Sequence, residues 1–256
     1  MTQYDFDGRV AAVTGGSSGI GRETAVQFAE SGAAVVVADV DDEKGEDVVA
    51  EIEDAGGEAV YVHTDVTDMD EVENMVQTAV EEFGRLDYAV NNAGIGGQQA
   101  PAGDLSEDDW MGVIDVNLNG VWRSLKAELD VMSDQDDGGV VINMASVLGK
   151  VGFENSSGYV SAKHGVLGLT KTAAWEYAGD GIRVNAVGPG FIATQMLDEG
   201  GITTNEEVRA QIEAMHSEDR LGQPDEVADA VLWLCSDGAS FTNGEALMVD
   251  SGFTAR

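Results

Sequence analysis

The sequence predicts an α/β protein with a doubly wound parallel sheet in three α/β/α layers, built as a single domain over 1–256. Three observations predict it. Short apolar runs suited to buried strands alternate with amphipathic helical stretches, the first run enters its helix through a glycine-rich loop, and residues with chemical potential recur just after the strand-like runs. Repeated βα units call for a parallel sheet covered on both faces, with ligands beyond the carboxyl ends of its strands.

Residues 9–13 form the first strand-like run. Thr14-Gly15-Gly16-Ser17-Ser18-Gly19-Ile20-Gly21 follows, leading into a helical pattern through Val26, Phe28 and Ala29 that stops at Ser31-Gly32. Such glycines permit a tight turn and let backbone N–H groups along Gly15, Ser17, Ser18, Gly19 and Ile20 approach a pyrophosphate, while Gly21 allows close helix–sheet packing. An ordinary βα turn is the bland alternative. Residues 33–38 form a second run that ends in Asp39, about 20 residues after the loop, where an acid accepts hydrogen bonds from an adenosine ribose. Its charge repels a 2′-phosphate, and Ser17-Ser18 offer no cation to attract one, so the expected cofactor is NAD and not NADP. Alternatively, Asp39 caps the next helix.

Residues 58–63 read as a third strand ending at Thr64-Asp65-Val66. Residues 68–83 read as an amphipathic helix with Val72, Met75, Val76, Ala79 and Val80 on one face. A fourth strand at 86–90 precedes Asn91-Asn92-Ala93-Gly94. Then come a helix around 110–129, a strand at 140–144 leading to Ser146, a long helix from about 158 to 177, and a strand at 182–187. The lone Cys235 lies in an apolar helical stretch, 231–235, and reads as a buried, inert thiol.

Tyr159 and Lys163 stand one helical turn apart and project from one face. A free phenol has a pKa of about 10, and a nearby cation favours the phenolate, which suits proton transfer near neutral pH. Tyr and Lys share helix faces by chance in many proteins. The glycine loop and Ser146 give the pair its weight.

Composition narrows the functional classes. With 256 residues and 43% hydrophobic content the chain can bury one large core, and no low-complexity linker or repeat divides it. The balance of 48 acidic against 13 basic residues gives a formal charge of −35, which repels nucleic acid and anionic membranes. The acids are scattered between apolar helix positions, as a solvated face requires, so a high-salt cytoplasm and a halophile-like source are expected. The N-terminal stretch lacks an export signal and no apolar run is long enough to cross a bilayer, which reads as a soluble cytoplasmic protein. The three histidines show no zinc-like spacing, and no metal site is expected.

Taken together, Thr14-Gly15-x-x-x-Gly19-x-Gly21, Asn91-Asn92-Ala93-Gly94, Asn117, Ser146, Tyr159-x-x-x-Lys163, Asn185 and Pro189-Gly190 with Thr194 resemble the short-chain dehydrogenase/reductase family, in its single-domain branch with the Rossmann fold. The resemblance covers essentially the whole chain. It implies Tyr159 as general acid/base, Ser146 as the group fixing the substrate oxygen, Lys163 as the tyrosine's cation and ribose anchor, and Asn117 as the holder of a relay water. It also implies Asp65 and Val66 at the adenine, Asn92, Ala93 and Gly94 bordering the adenosine ribose and the sheet, Ile192 and Thr194 gripping the nicotinamide carboxamide, and Pro189 and Gly190 among the cofactor-binding residues. Capping or turn roles are the alternative for Asp65, Asn92, Asn117 and Thr194. Ser251 departs from the pattern, because many relatives have glycine there.

The expected reaction is NAD-dependent interconversion of a secondary alcohol and a ketone. Residues 96–99, 147–149, 151–155 and a lid at about 191–220 are expected to line the substrate pocket; Leu148, Val151, Phe153 and Met196 suit a small to medium, moderately apolar substrate, cyclic ones included. A sugar or polyol dehydrogenase, a 3-oxoacyl-thioester reductase, an NAD-using lyase or epimerase, and a non-catalytic NAD-sensing protein are the alternatives. Family members are commonly tetramers. Ala162, Gly165, Gly168, Ala173 and Ala174 make the Tyr159 helix smooth enough to pack on a neighbour, so a homotetramer is expected.

Overall fold

The structure, a computed structural model, describes residues 4–199 and 205–255. Its centre is a parallel sheet of seven strands, β1 (Val10–Thr14), β2 (Ala34–Asp39), β3 (Glu58–His63), β4 (Tyr88–Asn91), β5 (Gly139–Met144), β6 (Ile182–Pro189) and β7 (Ala246–Val249), in the order β3-β2-β1-β4-β5-β6-β7. The order reverses between β1 and β4, which opens a crevice at the carboxyl edge. Register brings Thr14 opposite Asn91, so the glycine loop and the Asn91–Gly94 stretch leave the sheet side by side.

Nine described helices accompany it: α1 (Gly19–Glu30), α2 (Asp42–Asp54), α3 (Met69–Phe83), α4 (Glu107–Ile114), α5 (Val121–Ser133), α6 (Ser157–Glu176), α7 (Gln195–Glu199), α8 (Glu206–Glu213) and α9 (Pro224–Cys235). Side chains alternate across a strand, and the buried runs divide accordingly. Val35 and Val37 join Phe28, Ile52 and Leu234 on the face covered by α1, α2 and α9, whereas Val36 and Ala38 join Met75, Leu129 and Met132 on the face covered by α3 and α5. Two-sided burial of this kind explains why the strands read as unbroken apolar runs rather than alternating ones.

Two elements differ from the sequence reading. The helix expected around 110–129 is three pieces, α4, a π-helical turn at Asp115–Gly120, and α5. β7 was not anticipated, because Ala246–Val249 is a short run followed by a polar turn and carries no periodic signal. Asp41, not Asp39, caps α2, accepting from Lys44 N–H at 3.2 Å. Acids occupy the first turns of α2, α3, α4, α8 and α9, where the helix dipole favours them.

Among the described residues, the buried acids Asp87 and Glu128 each have a partner. Asp87 is held by Arg9 at 2.7 Å and Arg85 at 2.6 Å. Glu128 of α5, 1% exposed, accepts from Asn91 Nδ2 at 3.0 Å; the same amide donates to Asn143 Oδ1, and Asn143 Nδ2 donates to Thr170 Oγ1 of α6, both also at 3.0 Å. Burial pushes the Glu128 carboxyl up to about 8 against the opposing pull of the Asn91 bond. Cys235 is buried on α9, and desolvation pushes its thiol up to about 12 despite the nearby Arg183. Among the described residues no helix is long and apolar enough to cross a membrane.

Candidate active site

The carboxyl edge of the sheet gathers the expected residues. Asn92 clamps the glycine loop, its Nδ2 donating to Thr14 O at 3.1 Å and Gly15 O at 3.0 Å, while Thr14 Oγ1 accepts from the N–H groups of Asn92 and Ala93. The fit is close. A Cβ on Gly15, where φ is +64°, would stand 2.9 Å from Ala93 Cα, and one on Gly21 would stand 2.0 Å from Gly15 O. Gly21 is therefore required for α1 to start against its own loop. Ser18 sits in extended conformation just before α1, whose first turn carries no acid. That leaves a helix N-terminus, bare of side-chain anions, facing the crevice.

Asp39 closes the adenosine side. Its carboxylate accepts from Ser17 N–H at 3.0 Å and from Asp41 N–H at 3.1 Å, tying the tip of β2 to the glycine loop. The Asp65 carboxylate accepts from Thr67 N–H and Oγ1, each at 2.8 Å, in a tight local turn, and Val66 is buried against Gly120. Asn117, fully buried in the π-helical turn, grips Ile95 at both ends of its amide: Oδ1 accepts from Ile95 N–H at 2.8 Å and Nδ2 donates to Ile95 O at 2.7 Å. Gly94 makes room for it, since a Cβ there would lie 2.9 Å from Asn117 Oδ1. On the far side, Gly190 N–H donates to Val249 O, Ile192 is buried, and Thr194 approaches Gly19, whose Cβ position lies 3.2 Å from Thr194 Cγ2. Segments after β1 and β6 thus meet across the crevice.

Ser146, Tyr159 and Lys163 come together at its centre. Ser146 follows β5, is buried, and its Oγ accepts from Leu148 N–H at 3.1 Å, which starts a short 3₁₀ turn. Tyr159 lies near enough to Ser146 for that hydroxyl to favour its ionised form. Lys163, 3% exposed, donates from Nζ to Met144 O at 2.7 Å, with Nζ 5.6 Å from the Tyr159 ring centroid. Burial raises the Tyr159 phenol, and the neighbouring Ser146 hydroxyl offsets only part of that rise. The same desolvation pushes Lys163 down to about 8.

A family profile described as Enoyl-(Acyl carrier protein) reductase matches residues 15–254. Cyclohexanol dehydrogenase of Acinetobacter sp. (strain SE19) is 44% identical over 98% of this chain and 97% of its own. The chain belongs to the short-chain dehydrogenase/reductase family. A second relative, cis-4-hydroxycyclohexanecarboxylate dehydrogenase of Sinomonas cyclohexanicum, is 47% identical over 98% of each chain. Among solved structures, levodione reductase superposes with a TM-score of 0.94 at 38% identity, covering 98% of this chain and 99% of that one. As a family member the protein is an oxidoreductase of the alcohol/ketone type.

The expected substrate-pocket residues are only partly gathered. Val147 and Leu148 are buried, Phe153 packs on Phe191 with centroids 5.6 Å apart, and Met196 is exposed. Within the expected lid, 200–204 lie outside the described residues. The Glu128–Asn91–Asn143–Thr170 chain beneath the site escaped the sequence reading. Its signal was polar residues interrupting apolar strands and an acid inside an apolar helix face. Ser251 takes a left-handed φ of 44°, which explains why glycine suits the position, and its Oγ accepts from Glu218 N–H at 3.2 Å.

Proposed function

We propose that the protein interconverts a cyclic secondary alcohol and its ketone with NAD(H), using Tyr159 as general acid/base. The reading rests above all on the convergence of Ser146, Tyr159 and Lys163 at the centre of a glycine-lined crevice. A nicotinamide dinucleotide, when bound, supplies or accepts the hydride. Gly15, Ser17, Ser18, Gly19, Ile20 and Gly21 receive its pyrophosphate, Asp39 its adenosine ribose, Asp65 and Val66 the adenine, and Asn92, Ala93 and Gly94 the adjoining wall. Pro189, Gly190, Ile192 and Thr194 hold the carboxamide.

Ser146 orients the substrate oxygen and Tyr159 exchanges a proton with it, while Lys163 fixes α6 to β5 and holds the second ribose. A water beside Asn117 carries the proton onward, and the looser main-chain bonding of a π-helical turn suits such a water. The aromatic pair Phe153 and Phe191 favours an apolar ring as substrate. Residues 191–220 act as the lid. Reduction of a 3-oxoacyl thioester is the second reading, since a 3-oxoacyl-[acyl-carrier-protein] reductase of Thermotoga maritima is 39% identical.

Exposed Trp122, Trp175 and Phe241 support assembly as a homotetramer. The smooth face of α6 supports it less than expected: Ala162, Ala173 and Ala174 are buried within the chain and Gly165 packs on Leu118. The charge of −35 supports a high-salt cytoplasm as the working medium. The test is a panel of cyclohexanone, substituted cyclohexanones, sugars and a 3-oxoacyl thioester, each with NADH and with NADPH in molar KCl, followed at the reduced-nicotinamide absorbance. Turnover of cyclic ketones with NADH is expected. Turnover of only the thioester, or only with NADPH, rejects the reading.

A further inference from the structure

The end of β6, the residues behind α8 and the C-terminal turn converge on one side chain, His216, which is 3% exposed. Its Nε2 accepts from Phe191 N–H at 3.2 Å, and its Nδ1 lies 3.1 Å from Ile212 O in the last turn of α8. A peptide N–H only donates and a carbonyl only accepts. Both bonds therefore exist together only in a neutral ring with its hydrogen on Nδ1, a tautomer dictated by partners on two separate elements.

The surroundings hold the ring in that orientation. Phe191 meets it edge-on with centroids 5.9 Å apart, and Phe253 lies 5.8 Å away on the C-terminal turn. Gly190 leaves the space the ring occupies, because a Cβ there would stand 2.7 Å from Nε2. The next residues continue the fastening: Ser217 N–H donates to Ser251 O at 2.9 Å. An apolar side chain of similar size would fill the same volume but strand the Phe191 N–H without a partner in a buried setting.

We infer that His216 is a positioning residue for the reaction, an Nδ1–H imidazole that fastens α8 to the end of β6 and so sets the substrate-covering helix against the 191–194 stretch offered to the carboxamide. The inference rests on reading 191–220 as the substrate lid. His216 touches neither substrate nor cofactor and acts through Phe191 and Ile212.

The full chain is compared with His216→Leu, which fills the space without polar groups, and His216→Gln, which restores an acceptor and a donor. Steady-state kinetics with cyclohexanone, NADH affinity by fluorescence, and hydrogen exchange of peptides spanning 191–194 and 206–213 are measured in molar KCl. For His216→Leu, KM for the ketone and Kd for NADH rise about tenfold, and exchange in both peptides quickens by a similar factor, with kcat within about threefold of the parent. His216→Gln recovers most of each loss. Unchanged KM, Kd and exchange in a cooperatively melting His216→Leu variant overturns the proposal, as does a folded His216→Gln variant no better than His216→Leu. Should His216→Leu fail to fold, Gly190→Ala, whose Cβ displaces the ring, decides the matter by the same exchange measurement: faster exchange in the 206–213 peptide supports the proposal and unchanged exchange rejects it. If the parent reduces no ketone, the alcohol/ketone reading fails on its own, and the exchange results still judge the role of His216.

Discussion

Lys163 stands beside Tyr159, its Nζ 5.6 Å from the ring centroid, yet gives its hydrogen bond to Met144 O at 2.7 Å. The ammonium thus fastens α6 to β5, with the Tyr159 phenol near Ser146. Burial raises the phenol above its ordinary value, so it stays protonated through neutral pH.

Replacing Tyr159 by Phe removes the transferable proton but little of the crevice wall. Turnover falls by about 10³-fold while the dissociation constant for NADH stays within about twofold of the parent. In the parent, ketone reduction holds through neutral pH and declines as the phenol ionises on the alkaline side, whereas alcohol oxidation climbs there. Initial rates in both directions from pH 6 to 10, with NADH binding by fluorescence, check this.

Glu128 gives a pH-dependent stability effect of defined sign. Its carboxyl titrates at about 8 in the folded chain against an ordinary 4.5. The unfolded chain therefore loses this proton first, and stability contributed by the protonated form drains away as pH rises from about 4.5 to about 8. An amide cannot ionise. Glu128→Gln is expected to raise the unfolding free energy by a few kcal/mol at pH 8 and by far less at pH 5. Urea midpoints at the two pH values in molar salt measure it, and an equal shift at both would show that ionisation is not the cause.

Asp39 holds Ser17 N–H and, on the proposed reading, repels a 2′-phosphate. In Asp39→Ser the efficiency ratio of NADPH to NADH rises about tenfold or more, while efficiency with NADH itself drops. Paired kcat/KM determinations in one buffer would reveal it. An unchanged ratio removes Asp39 from cofactor selection.

Salt is expected to stabilise the chain. The 48 acidic residues leave an excess that 13 basic ones cannot pair, and screening that repulsion lifts the melting temperature by roughly ten degrees between dilute buffer and molar KCl. Calorimetry across a KCl series tests this, and a flat curve excludes charge repulsion as a limit on stability.

Much of the fold was legible because two-sided burial writes itself into the chain as apolar runs such as 34–38, and because Gly15, Gly21 and Gly94 occupy spaces no Cβ can share. Asn92 and Ser146 were legible from their position after strands. The π-helical turn around Asn117 was not, since i→i+5 bonding leaves no distinct periodicity. Nor was the Met144 carbonyl as the lysine's acceptor, nor the His216 fastening, because a backbone group has no letter of its own and partners such as Phe191 and His216 are distant in sequence.

Cys235, buried at the end of α9 with its thiol pushed up to about 12, has a practical corollary. Storage needs no reductant, and a cysteine engineered onto the surface would be the sole handle for maleimide chemistry. A dye or spin label at α8 could then report on the surroundings of that helix without any background to subtract.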